Sequence, residues 1–459
     1  MTETIFRAHR VVLPDGIRAA SIHVKDGKIA RLAAFDDVPQ GAPVIDAGTA
    51  AILPGIVDTH VHVNEPGRTE WEGFETATRA AAAGGITTIV DMPLNSIPPA
   101  TSPRGVAEKA AITEGRIAID VGLWGGAIPE NTTGKSTGLR EILAEGARGF
   151  KCFLLPSGVD EFPFVQTADV EAALAQLAGT GVALMVHAEL PEPIDRATEE
   201  LAREGADPRA YQTYLRSRPP SAEDRAALLL YELAKKTRVP IHIVHLSSAG
   251  ALETLERARD EGVPLTAETA PHYLHFDAER IPDGATWFKC APPIREKANR
   301  ERLWEAVRRG SIEMIVSDHS PCIPDLKRTA EGDFMGAWGG IAGVQFSLSA
   351  IWTEAKARGF TLSDVARWMS AAPARHAGLT GKKGSIAVGA DADLIIFDAD
   401  ASTTVEASCI EHRHKLTPYD GETLAGSVVS TYLRGERVFE KTSGFAERRR
   451  GTWLRGGKL

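Results

Sequence analysis

Residues 221–248, SAEDRAALLLYELAKKTRVPIHIVHLSS, place an amphipathic helix directly before a short apolar strand. Ala226, Leu229, Leu230 and Leu233 fall at i, i+3, i+4 and i+7, one stripe of a helix. Ser221 is expected to cap that helix, with Asp224 at the third helical position, and Pro240 ends the helical region before the buried strand IHIVHLS. The same order occurs earlier, where ETATRAAAAGG over 75–85 reads as a helix closing on glycines and ITTIVDMP as the strand after it. Repeated strand–helix units between residues 55 and 380 predict a parallel (β/α)8 barrel, whose working residues gather at the C-terminal ends of its strands. A doubly wound open sheet is the competing layout, but no GxGxxG turn follows the first strand.

The two ends of the chain have a different rhythm. TIFRAHRVV and AASIHVKDGKIARLAAF alternate in short stretches, with Asp26-Gly27 as a hairpin turn, and the stretches around 384–398 and 426–440 look similar. The expected organisation is therefore a smaller β-sandwich domain built from residues 1–54 and 381–459, around a catalytic barrel spanning 55–380. A chain of 459 residues is long enough for both. Its net charge of −9 argues against nucleic acid or an anionic membrane as the main partner. No apolar run is long enough to span a bilayer, and MTETIFRAHRVVLPDG lacks the pattern of a signal peptide. The four cysteines are scattered without a CxxC pair, as expected of free thiols in a reducing compartment, so a cytoplasmic location is expected.

His60 and His62 stand one residue apart at the end of the apolar run ILPGIVDTHVH, so on a strand they project to one side. A single histidine there reads as a hydrogen-bonded core residue; two at a strand end favour a metal, because neutral imidazoles are good ligands for zinc-class ions. Three more strand-like segments end in a candidate ligand: ALMVHAEL in His187, IHIVHLSS in His245 and EMIVSDHSPC in Asp318. His242 lies deeper in its strand and is expected to pack or hydrogen-bond. Lys151, in ARGFKCFLLP, is either a snorkelling side chain or an amine desolvated by Phe150, Phe153 and Leu154. A desolvated, neutral amine can add carbon dioxide, giving a carbamate able to bridge two metal ions.

The set His60, His62, Lys151, His187, His245 and Asp318 resembles the cyclic amidohydrolases, the family of hydantoinases, dihydropyrimidinases, dihydroorotases and allantoinases. The resemblance covers nearly the whole chain, including the split β domain and the closing GADADLIIFD. It implies two divalent ions per chain, zinc first, with iron, cobalt or manganese as alternatives. One would be held by His60, His62 and Asp318 and the other by His187 and His245, with carboxylated Lys151 between them and Asp318 also shuttling a proton. HVHVNEPGRTEWEGF, MPLNSIPP, GFKCFLLPSGVDEFP, KCAPPIREKANRE, VSDHSPC and GDFMGAWGGIAGVQ, in this order, resemble the allantoinases. The implied reaction is hydrolysis of (S)-allantoin to allantoate, with a hydantoin or dihydropyrimidine ring as the alternative substrate and a non-catalytic scaffold as the remote one.

Departures from the relatives bear on specificity. Dihydroorotases carry arginine where this chain has Asn64, fitting a carboxylate-bearing ring, whereas an amide suits a neutral ureido group; Asn64 could equally only shape its loop. Hydantoinases place an oxyanion-donating tyrosine where this chain has Pro156, followed by Ser157. Cys290, in the segment 288–291 resembling the stretch that holds the substrate's amide edge, is either near the ring or a plain buried thiol. The loop from Ser320 to Gly340, with Trp338, could cover the site or be a surface connection. Arg448, Arg449 and Arg450 read as a solvated or intersubunit patch, and the resemblance implies a homotetramer.

Overall fold

The computed structural model of the protein describes residues 3–133 and 138–456. Eight parallel barrel segments follow one another around a closed ring. They are Ile56–Val61, Ile86–Asp91, Asp120–Leu123 running on into Gly125–Gly126, Phe150–Phe153, Leu184–His187, Ile241–Ile243, Leu265–Thr269 and Met314–Ile315. The third bends at Trp124, whose N–H donates to Asp91 O while Gly125 N turns to Gly149 O, so one segment serves a neighbour on each side. The ring closes where His62 N donates to His319 O at 2.8 Å beside a parallel bridge between Val61 and His319. Every residue of the first, second, fourth and fifth segments is buried, as parallel strands covered on both faces require.

Both chain ends build one nine-stranded sheet. Thr4–Leu13, Gly16–Lys25, Lys28–Ala33, Val44–Asp46 and Ala51–Pro54 come from the N-terminal side, and Leu394–Thr404, Thr423–Leu433, Glu436–Glu440 and Gly444–Phe445 from the other. The seam is antiparallel, with Pro54 opposite Leu394 and Ala51 opposite Phe397. The sheet has a core of its own around Phe6, Ile22, Ile52, Leu394 and Tyr432, and forms the β-sandwich beside the barrel. Asp26 (φ 53°) and Gly27 (φ 76°) make the expected hairpin turn between Gly16–Lys25 and Lys28–Ala33. Among the described residues no helix is long and apolar enough to cross a membrane.

A buried ionic cluster joins the two layers. Lys383 Nζ lies 2.7 Å from Asp120 Oδ2, 3.0 Å from Asp391 Oδ2 and 2.6 Å from Asp393 Oδ2. Arg434 reaches the same Asp120 oxygen at 2.5 Å, and Thr452 N donates to its other oxygen. The barrel, the hairpin at 434 and the chain's last described stretch thus meet at one point.

Two local expectations are corrected. Ser221 does not cap its helix, because Pro220–Thr237 begins one residue earlier with Pro220 at the first position, where a missing N–H costs nothing. Asp224 instead accepts from Ser248 Oγ at 2.7 Å. In the C-terminal β region the strand Leu394–Thr404 begins later than the alternating stretch at 384 suggested, because 384–390 turns through Gly384 and Gly389, both at positive φ.

Candidate metal centre

The six residues singled out above converge at one mouth of the barrel. His60 is in the first barrel strand and His62 just beyond it; Lys151 is second in Phe150–Phe153, and His187 ends Leu184–His187. His245 follows Ile243 by two residues and Asp318 follows Ile315 by three. The ring centroids of His60 and His62 are 5.4 Å apart, those of His60 and His245 5.3 Å, and those of His187 and His245 4.6 Å. Asp318 Oδ1 is 3.2 Å from His60 Nε2 and 3.7 Å from His62 Nε2. Ligand-type atoms of His60, His62 and Asp318 all lie within 4.8 Å of one another, a span that one divalent ion can bridge. His245 (φ 38°) and Asp318 (φ 47°) both hold left-handed backbone, which turns their side chains into the cluster at a cost in strain.

Burial sets the protonation of these groups. It keeps His62 and His245 well below the usual imidazole range, with the neighbouring His60 and Lys151 charges adding to the effect. It takes His187 down to about 4, against the pull of Glu189. These imidazoles are therefore neutral at pH 7, with lone pairs available. His60 Nε2, His62 Nδ1, His245 Nδ1 and Lys151 Nζ are buried with no hydrogen-bond partner. Four orphaned polar atoms on adjoining side chains are costly unless something else satisfies them, and this donor set fits divalent metal. Lys151 is fully buried, its Nζ 4.9 Å from the Phe153 ring centroid, and burial lowers its pKa to about 8. Burial raises Asp318 above the ordinary carboxylate range, although His60 and Lys151 oppose it.

A second layer of carboxylates, not foreseen from the sequence, holds the imidazoles. Glu268, in Leu265–Thr269, pairs through Oε1 with His60 Nδ1, through Oε2 with His242 Nε2 at 3.2 Å, and accepts from His245 N at 3.3 Å. Burial alone would raise Glu268, but His60 and His242 hold it far below the usual range. His242 thus hydrogen-bonds within its strand layer, as expected, with Thr266 Oγ1 on its other nitrogen at 2.7 Å. Glu189 lies 2.7 Å from His187 Nε2 and accepts from Arg218 Nε at 3.1 Å and Nη2 at 2.5 Å. Partners of this kind fix ring orientation and tautomer.

Above the cluster is a cavity of about 340 Å³ with His62, Lys151, His187, His245 and Asp318 in its lining. Asn95, Tyr214, Arg218, Lys289, Ser320 and Trp338 stand in its walls, so the 320–340 loop forms part of the site. Asn64 and Cys290 do not line it. Asn64 is fully buried behind the wall, with Nδ2 donating to Pro321 O at 3.3 Å. The Cys290 thiol is buried too, its pKa pushed up to about 12, while its carbonyl accepts from Tyr214 Oη at 2.7 Å. Pro156 and Ser157 are in the wall, but Ser157 Oγ is committed to Val159 O and Phe162 O.

Residues 51–438 match the Amidohydrolase family. The chain is 50% identical over 437 residues to an allantoinase of Streptomyces avermitilis, covering 95% of each chain. It is 44% identical to an allantoinase of Arabidopsis thaliana, over 94% of this chain and 87% of that one. In structure it is similar to the L-hydantoinase (dihydropyrimidinase) from Arthrobacter aurescens, with a TM-score of 0.93, 31% identity, and coverage of 99% of this chain and 100% of that one.

Proposed function

Because the chain belongs to the amidohydrolase family, we propose that it hydrolyses the cyclic amide of (S)-allantoin, releasing allantoate in purine breakdown. The observation that carries the substrate choice is the 50% identity, along nearly the whole chain, to a protein named allantoinase. The buried histidine–lysine–aspartate cluster supports the reaction type.

In this reading His60, His62 and Asp318 hold one divalent ion and His187 and His245 the other. Two ions bound there would polarise the ring carbonyl and lower the pKa of water toward about 7. Zinc is the first choice for a site this rich in imidazole. Lys151, its pKa lowered to about 8 by burial, would add carbon dioxide through its neutral amine form and lose a proton, and the resulting carbamate would supply oxygen ligands to the metal. Asp318 accepts the proton of the attacking water and passes it to the ring nitrogen as the ring C–N bond breaks. Its position 3.2 Å from His60 Nε2 and in the cavity lining supports that role. Glu189 and Glu268 hold the imidazoles still while this happens. A homotetramer, on the family resemblance, and a cytoplasmic location, on the scattered cysteines, complete the reading.

A hydantoin ring is the second reading, favoured by the structural likeness to an L-hydantoinase. It is the weaker one, because Pro156 stands where those enzymes carry their tyrosine donor and Ser157 is already bonded to its own loop. The test is a comparison of kcat/KM for allantoin, hydantoin, dihydrouracil and dihydroorotate. Allantoin should lead. A higher value for hydantoin or dihydrouracil moves the chain to the second reading, and no turnover of any ring by metal-loaded protein ends both.

A further inference from the structure

Two buried lysines, neither in an ion pair among the described residues, stand at one wall of the cavity, Lys289 in its lining and Lys327 outside it. Lys289 Nζ donates to Met335 O at 3.0 Å and to Ala337 O at 2.6 Å. Lys327 Nζ donates to Lys289 O at 3.1 Å, to Trp338 O at 3.0 Å and to Gly340 O. Gly340 N closes the ring of contacts by donating to Lys289 O at 2.9 Å. The side chains are 7% and 5% exposed. The charges around Lys289 are Arg218, Lys327, Arg328 and Asp333, and the groups acting on Lys327 are the Cys322 and Cys290 thiols. Burial draws Lys289 down to about 7 and Lys327 to about 8, so these ammonium groups are kept at a cost.

What they fasten is peptide backbone. Ala291, Gly339 and Gly340 line the cavity, and a Cβ on Gly339 would lie 3.7 Å from Ala291 N, so the two backbones run side by side. Gly340 passes so close to Ser320 O that a Cβ there would sit 2.3 Å from it. A wall of backbone N–H and C=O groups has no rotamers of its own. Its spacing is set by whatever holds the two segments together.

We propose that Lys289 and Lys327 are positioning residues that lock segment 289–291 to segment 335–340 at the spacing needed to receive the planar amide edge of the substrate ring. The proposal rests on the cyclic-amide reading above. It also makes the 320–340 loop a fixed wall, in keeping with the full burial of Phe334 against Tyr211.

The test uses metal-loaded protein with Lys289→Met or Lys327→Met. Three quantities are read: divalent metal per chain, amide hydrogen exchange over 335–340, and KM and kcat for whichever ring the unmodified protein opens. Metal content should be unchanged and exchange over 335–340 should quicken. KM should rise roughly tenfold or more, as expected for lost charge-assisted hydrogen bonds, with kcat within about threefold. Unchanged exchange overturns the clamp whatever the substrate proves to be. An unchanged KM, or a parallel loss of metal and kcat, overturns its role in recognition. If the unmodified protein turns over hydantoin and not allantoin, the substrate assignment falls while both arms still decide this proposal. Lys289→Gln and Lys327→Gln, which keep a donor, serve if a methionine variant does not fold: intermediate KM values support the clamp and unmodified values refute it.

Discussion

His187 Nε2 lies 2.7 Å from Glu189 Oε2, and the opposite side of that carboxylate is closed by Arg218. Against the ionised Glu189, His187 donates from Nε2, which leaves Nδ1 as its lone-pair nitrogen. Burial would raise Glu189, yet Arg218 and His187 together hold it far below the ordinary carboxylate range.

If His187 holds metal as proposed, Glu189→Gln should loosen that ligand without touching the metal. Metal affinity is expected to fall roughly 10- to 100-fold, the usual effect of removing such a support. Titration with a chelator measures it. An affinity equal to that of the unmodified protein would show that His187 is oriented by other means.

Lys151→Ala should abolish nearly all activity, because the proposed reading commits the Asp318 carboxylate to one ion and to proton transfer, and leaves the carbamate as the ligand shared by both ions. Short carboxylic acids added to the variant should restore part of it. An unmodified Lys151 amine in a fully active, metal-loaded crystal would refute the carbamate.

Asp318→Asn keeps the shape of the side chain and removes its basicity. Turnover should fall by roughly 10²- to 10⁴-fold with KM little changed, the range typical of a positioned general base. Near-normal kcat would place the proton shuttle elsewhere.

His275 joins the barrel to the β domain, with Nδ1 3.2 Å from Glu354 Oε1 and Nε2 3.7 Å from Glu422 Oε2. Burial works against its charge, but the two carboxylates prevail and raise its pKa above 6.5. Above pH 6.5 the folded state therefore holds this proton longer than the unfolded chain does. The stabilisation is complete below pH 6.5 and is lost as pH rises through the folded value. The contribution is small, since Glu422 is half exposed to solvent and such pairs are screened. Melting temperatures between pH 6 and 8 should show this slope, and His275→Gln should flatten it.

Lys383→Met leaves Asp120, Asp391 and Asp393 buried without their shared cation. A loss of roughly 3–5 kcal/mol is expected, as for other broken buried pairs, seen as a lower denaturant midpoint. A midpoint within error of the unmodified protein would mean that Arg434 and Lys28, whose Nζ lies 3.0 Å from Asp391 Oδ1, suffice.

The barrel and its six converging residues were legible because strand periodicity is local. His60 and His62 share a face by alternation alone, and Lys151 stands out against its apolar flanks. Glu268 was not legible: its partner His60 is 208 residues away, and a glutamate in LTAET looks like any other. Glu189 carried a weak signal, two residues beyond His187, that meant little without Arg218. Asn64 left two readings open, substrate contact or loop shaping. Its place beside the histidines suggested substrate contact, but the backbone bonds of its loop, Asn64 N to Glu72 O and Arg68 N to Asn64 O, leave the side chain behind the wall. Lys289 and Lys327 gave no sign, since what they hold is carbonyl oxygen, which every sequence has everywhere.

The seam between Ala51–Pro54 and Leu394–Phe397 also orders events during synthesis. The first five strands leave the ribosome with an unpaired edge and an apolar face, and their partner strand follows only after the entire barrel has been made. Until then that edge is open to foreign strands, a hazard that native sheets otherwise avoid. Stalling or truncation before residue 394 should thus release a chain whose catalytic barrel is nearly complete and whose aggregation-prone part is its oldest.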